Sequence, residues 1–146
     1  MTIQRKHLLL AMALAAPLLA GALLLAVSKG YSYALTAHDK GQYSIAFPIV
    51  FGNALLNDRA ACALLGSMYL FGQGVEKDGS RAEFWLTKAA NKDVAEAQTL
   101  LGVMYATGQG VPRDVDKGRS WLARAASRGN LEAARILKQL YAADAM

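Results

Sequence analysis

The sequence is short of nearly everything that enzymes use for covalent or metal chemistry. It has one cysteine, Cys62, and two histidines, His7 and His38, among 146 residues. A single cysteine excludes an intramolecular disulfide, so the fold must be held by packing alone. No basic residue adjoins Cys62 to stabilise a thiolate, and a small, partly buried apolar side chain is its expected role. His7 belongs to a basic N-terminal flank. His38 stands beside Asp39 in a predicted loop and is expected at the surface, because a catalytic base needs a nucleophile and the sequence points to none. Asp114 and Asp116 are two carboxylates without the further oxygen ligands of a calcium loop. Gly72-Gln73-Gly74 follows a helix and has no third glycine, so it ends that helix and does not cradle a nucleotide. No catalytic residue, cofactor or metal is assigned, and the chain reads as non-enzymatic. An excess of one charge is lacking too. The formal net charge is +5, Arg5 and Lys6 carry two of it, and basic residues elsewhere alternate with acids, as in Arg113-Asp114. That pattern excludes the clustered basic face of a nucleic-acid binder.

What is abundant is apolar. Hydrophobic residues make up 54% of the chain, above the usual share of about 45–50%. Much of the excess lies in Leu8–Val27, 20 residues without a charge or an amide. A helix of that length reaches about 30 Å, the thickness of the hydrocarbon core of a bilayer. Arg5 and Lys6 should hold its start in the cytoplasm, which places everything after Val27 across the membrane. Pro17 falls mid-segment, where a bend in a membrane helix is tolerated. Two fates fit this run: an uncleaved single-pass anchor, or a signal peptide cut after Ala20-Gly21-Ala22 or near Ala26-Val27-Ser28. Its length favours the anchor. Both deliver the same domain to the same compartment.

The rest of the chain is organised by a repeat. Leu64-Leu65-Gly66-Ser67-Met68-Tyr69 returns 36 positions later as Leu100-Leu101-Gly102-Val103-Met104-Tyr105. The same shift carries Gly72-Gln73-Gly74-Val75 onto Gly108-Gln109-Gly110-Val111, Asp78 onto Asp114, and Trp85-Leu86 onto Trp121-Leu122. A period of this length marks stacked helical hairpins. Helices are predicted over about Tyr43–Leu56, Arg59–Phe71, Gly79–Asn91, Val115–Ser127 and Leu131–Ala143, with a degraded first helix over Ser28–Ala37. Asn57 and Asp58, then Asp78 and Asp114, stand where N-caps belong. Gly72 stands where a helix stop belongs. Gly66 costs its helix about 1 kcal/mol in propensity, so it should mark a notch for a paired helix, filled by Trp85 or its neighbours. Gly118 replaces Ala82 in the second copy and should weaken that helix. Lys138 takes the notch position in the last helix, as expected of a polar cap. Tyr33, Tyr69, Tyr105 and Tyr141 follow the period and read as packing. The resulting division is 1–28 anchor or signal peptide, 29–57 degenerate first hairpin, 58–93 first repeat, 94–129 second repeat and 130–146 capping helix.

The positions Ala61, Leu65-Gly66, Met68-Tyr69, Gly72, Gly74-Val75, Asp78, Trp85 and Ala89-Ala90, with their counterparts from Ala97 to Ala126, resemble the Sel-one-like repeat (SLR) family, a relative of the tetratricopeptide repeats. The resemblance implies an all-α fold, a short right-handed α-solenoid of stacked helical hairpins after an N-terminal hydrophobic helix. It also implies a bacterial, exported protein that binds other proteins as an adaptor or regulator. Some relatives carry paired cysteines in each hairpin; this chain has only Cys62.

Elimination gives a candidate binding face. Residues of each first helix that avoid the apolar stripe should line the concave side: Ala60, Ala63, Ser67, Leu70, Glu96, Thr99, Val103, Ala106, Glu132, Arg135 and Gln139. They vary between copies while the packing positions hardly do. A protein or peptide partner, extended or helical, is expected there, and no nucleic acid. The leading expectation is an interaction module on the outer side of a bacterial inner membrane, or soluble in the periplasm or secreted if the segment is cleaved. The alternatives are an exported binder or hydrolase of cell-wall or β-lactam-like compounds and a structural subunit of a membrane complex.

Overall fold

The computed structural model describes residues 29–144, which form seven helices and no strand. These are α1 (29–39), α2 (Tyr43–Leu55), α3 (Arg59–Phe71), α4 (Gly79–Ala90), α5 (Ala95–Thr107), α6 (Val115–Ser127) and α7 (Leu131–Asp144). Consecutive helices pack as hairpins. In addition α3 touches α5 and α5 touches α7, so the first helices of successive hairpins share one side of the stack. The architecture is an all-α solenoid of helical hairpins. The apolar run Leu8–Val27 lies outside the described residues. No described helix is long and apolar enough to cross a membrane.

The helix ends follow from local chemistry. Asp58, Asp78 and Asp114 accept a backbone N–H bond three residues ahead, at 2.7, 2.9 and 2.9 Å, and Asn130 does the same for Ala133 at 2.9 Å. Val94 holds the equivalent place before α5 and offers no side-chain cap. Gly72 and Gly108 end α3 and α5 in the left-handed conformation, φ +72° and +79°. A second left-handed position recurs in each copy after the second helix: Asn57, Asp93 and Gly129 have φ of 65°, 64° and 85°. Asn57 therefore shapes the turn, and Asp58 alone caps α3 through its side chain.

The notch glycines work as close-approach points. A β-carbon on Gly66 would lie 2.6 Å from Leu86 Cγ, and one on Gly102 would lie 2.5 Å from Leu122 Cγ. Leu86 and Leu122 fill the notches, and Trp85 packs instead edge-on to Phe51 at 6.3 Å. Gly118 has a packing role that its sequence reading did not include. A β-carbon there would meet the Ala106 nitrogen and the Gly102 oxygen, each at 2.8 Å, so the lost helix propensity accompanies a tight α5–α6 contact.

The core runs the length of the stack through Ala46, Val50, Leu65, Met68, Leu86, Leu101 and Met104, all fully buried. Of the four periodic tyrosines, Tyr69 and Tyr105 are buried, whereas Tyr33 and Tyr141 at the two ends are exposed. Tyr105 donates to Glu83 and accepts from Lys117 Nζ at 2.6 Å. Burial, then the bond to Glu83, pushes its phenol above the ordinary range.

Candidate partner-binding groove

The shared side of the first helices carries an open groove of about 370 Å³. Tyr31 and Leu35 of α1 form one wall, Ala60, Ala63, Leu64 and Ser67 of α3 the floor, and Val94, Glu96 and Leu100 at the start of α5 the other wall. Apart from Glu96 the walls are aliphatic and aromatic, and the small residues Ala60, Ala63 and Ser67 lie between them. Ser67 turns its hydroxyl inward to the Leu64 carbonyl at 2.8 Å, and Thr99 does the same to Ala95. These hydroxyls satisfy themselves within their own helices and leave the surface mainly apolar. Burial, then the Asp58 carboxylate, pushes the Tyr31 phenol up to about 12, so this wall stays neutral at physiological pH.

At one end the groove opens into a polar hollow of about 390 Å³ bounded by Arg59, Asp93, Glu96 and Arg128, and it shares Ala60, Val94 and Glu96 with the apolar part. Arg128 pairs with Asp93, and Arg124 approaches the same carboxylate at 3.8 Å. The whole is an apolar trough ending in mixed charge. Such a surface can take an amphipathic segment by apolar burial and fix its register with one or two polar contacts.

The Sel1 repeat profile matches residues 59–94 and 95–130. The chain belongs to the Sel1-like repeat family. Its fold is similar to the crystal structure of a Sel1 repeat protein from Oxalobacter formigenes, at 28% identity and a TM-score of 0.67, over 71% of this chain and 41% of that one. It is also similar to c5321, a protective antigen of uropathogenic Escherichia coli with an SLR fold, at 28% identity and a TM-score of 0.75, over 81% of this chain and 26% of that one. The chain thus spans less than half the length of either. Cysteine-rich protein B of Helicobacter pylori shares the fold at 21% identity and a TM-score of 0.60, over 77% of this chain and 95% of that one. No curated protein matches the chain.

Within this Sel1-like frame the sequence-predicted face divides. Ala60, Ala63, Ser67 and Glu96 line the trough. Thr99 and Val103 are half-buried on α5 outside it, and Glu132, Arg135 and Gln139 are exposed on α7, with Glu132 and Arg135 paired to each other. Leu70 and Ala106 are corrections. They are 2% and 6% exposed and so sit in the packing rather than at a surface, Ala106 against Gly118 of α6. Leu64 and Leu100 do both jobs: they are half-buried against the core and also line the trough. Tyr31, Leu35 and Val94 were missed. A signal was available for Val94 alone, which breaks the capping pattern set by Asp58 and Asn130.

His38 is not a free surface histidine. Its Nε2 lies 3.1 Å from Gln73 Oε1, its ring meets Tyr43 edge-on at 5.1 Å, and Gln73 also donates to the Tyr43 hydroxyl at 3.3 Å. It ties the α3–α4 turn to the first hairpin. Cys62 and Gln98, one repeat apart, share a job: the Cys62 thiol donates to the Ala54 carbonyl at 3.7 Å and the Gln98 amide to the Ala90 carbonyl at 3.0 Å. Each satisfies a helix-end acceptor inside the stack.

Proposed function

We propose that this Sel1-like chain is a non-enzymatic interaction module whose trough between α1, α3 and α5 holds an amphipathic segment of another protein, as adaptor or regulator. The observation that carries the reading is the trough itself: apolar side chains from three successive first helices converge on one hollow, with charge only at its end. Sel1 repeats serve as interaction scaffolds, which supports a protein rather than a small-molecule occupant. The proposal places the module on the outer side of a bacterial inner membrane, held by Leu8–Val27, or free in the periplasm if that segment is removed. The basic flank and the 20-residue apolar run support this placement.

Selection of displayed peptides against the full chain in detergent micelles tests the binding role. Enriched peptides should be amphipathic. Leu100→Arg should weaken them at least about tenfold, the order expected when a charge replaces a central apolar contact. Ser120→Arg, on the exposed surface of α6, should leave them unchanged. Peptides that bind Leu100→Arg as well as the native chain, or a selection that enriches none, would reject the trough as the binding surface.

A further inference from the structure

The second helices of the hairpins differ in one respect that the repeat makes measurable. In α4 and α6 the solvent-facing positions are mostly polar, with Phe84 of α4 the large apolar exception: Arg81 and Lys117, Lys88 and Arg124, Asn91 and Ser127 (just past the end of α4 and at the end of α6), Lys92 and Arg128. One period earlier, α2 and the turn after it carry Ile45, Gly52, Leu55 and Leu56 in those places. From Gln42 to Asn57 there is no charged residue at all. Ile45, Leu55 and Leu56 are 40%, 62% and 69% exposed. An apolar hollow of about 570 Å³ lies among Gly30, Pro48, Ile49, Gly52, Asn53, Leu55 and Leu56. Lys92 and Arg128 reach back to the turn of the preceding copy, at the Asn57 carbonyl and Asp93; the described residues offer Leu56 no such turn. A missing partner removes the need for a cation but does not call for leucine in water.

Place decides what covers this face. Gly30, at the start of α1, borders the hollow, and a β-carbon on it would be 4.0 Å from Ile49. In sequence only Ser28 and Lys29 separate Leu8–Val27 from Gly30. The run cannot itself be hidden by α2. A helix apolar on every side buries only one stripe against a neighbour, and α2 is about 20 Å long against the roughly 30 Å that 20 residues would span if helical. We propose that the uncharged outer face of the first hairpin, around Ile45, Pro48, Gly52, Leu55 and Leu56, rests on the lipid surface into which Leu8–Val27 inserts. This rests on the anchor reading. The contact fixes the solenoid's tilt on the membrane, so that its trough is presented in one orientation instead of swinging on a tether.

Site-directed spin labels on the full chain in phosphatidylethanolamine–phosphatidylglycerol vesicles test it. Cysteines are placed singly in a Cys62→Ala background at Leu55→Cys, at its equivalent two repeats on, Ser127→Cys, and within the run at Leu18→Cys. The Leu55 label should show a several-fold higher ratio of oxygen to nickel-chelate collisions than the Ser127 label, and the Leu18 label a higher ratio still. Ile45→Arg, Gly52→Lys and Leu56→Lys together install residues that the later copies already carry on the same framework. They should leave the melting temperature unchanged or higher and bring the Leu55 ratio down to that of Ser127. A Leu55 label as wet as Ser127 while Leu18 is embedded overturns the resting face and leaves the anchor standing. A wet Leu18 label overturns the anchor, and the resting face with it. Spin–spin broadening at Leu55 that vanishes on dilution with unlabelled chain overturns the proposal in favour of a second copy.

Discussion

Gly79 and Gly110 meet backbone to backbone: a β-carbon on Gly79 would stand 2.2 Å from the Gly110 carbonyl oxygen. One period earlier, a β-carbon on Gly74 would stand 2.5 Å from the carbonyl of Tyr43. Tyr43 and Gly79 are equivalent positions, as are Gly74 and Gly110. Each Gly-Gln-Gly turn is therefore seated on the first residue of the second helix of the hairpin before it. The close contact itself is between main chains, and in the first copy the Gln73 side chain adds to it through His38 and Tyr43.

Gly79→Ala should destabilise the fold by about 1–3 kcal/mol, because the added carbon meets main chain that cannot swing aside. Gly52→Ala, with nothing within 4 Å of the new carbon and an exposed helical position, should instead stabilise by up to about 1 kcal/mol through helix propensity. Urea unfolding midpoints of the two variants check the pair. Equal effects would mean that the Gly79–Gly110 contact is not close in solution.

Leu86 and Gly66 should prove coupled. Leu86→Ala should cost about 2–5 kcal/mol as a fully buried leucine. Gly66→Ala pushes into the same side chain and should also destabilise. The double variant should cost clearly less than the two combined, since shortening Leu86 vacates the space that the Gly66 methyl needs. A double-mutant cycle by chemical denaturation reads the difference, and simple additivity would contradict the notch.

Stability should fall as the solution is made alkaline. Burial, with Asp58 and Cys62 adding to it, moves the Tyr31 phenol from 10.0 up to about 12. Between those values the unfolded tyrosine has lost its proton while the folded one keeps it. The native state then binds more protons, and stability decreases with rising pH. Its contribution is fully present below pH 10 and is lost as the pH climbs toward 12. Tyr31→Phe should flatten this part of the curve, measured by thermal melts across the alkaline range, with Tyr105, also shifted upward, leaving a residual slope.

Cys62 should resist thiol reagents. It is fully buried, and burial is the main cause holding its thiol above the ordinary pKa. In native buffer at pH 8, Ellman's reagent should react on the timescale of unfolding, and in denaturant within seconds. Rapid modification of the native chain would show that the α2–α3 contact opens.

The sequence by itself determined the repeating unit, the class of fold and most helix ends. These depend on interactions within a few residues: an aspartate reaching the N–H three places on, a glycine that alone tolerates positive φ, apolar residues returning at helical spacing. Arg59–Phe71 and Val115–Ser127 could be drawn to the residue for that reason. Which side chains remain at the surface was settled only by tertiary packing. Leu70 and Ala106 looked free on their own helices and are buried. Leu64 and Leu100 pack against the core and line the trough as well. A helix in a stack has neighbours on several sides, and its exposed strip is whatever they leave uncovered. The approach distance of those neighbours was equally out of reach of any local rule. Gly118, costly on its own helix, is explained only by the backbone of α5 lying against it.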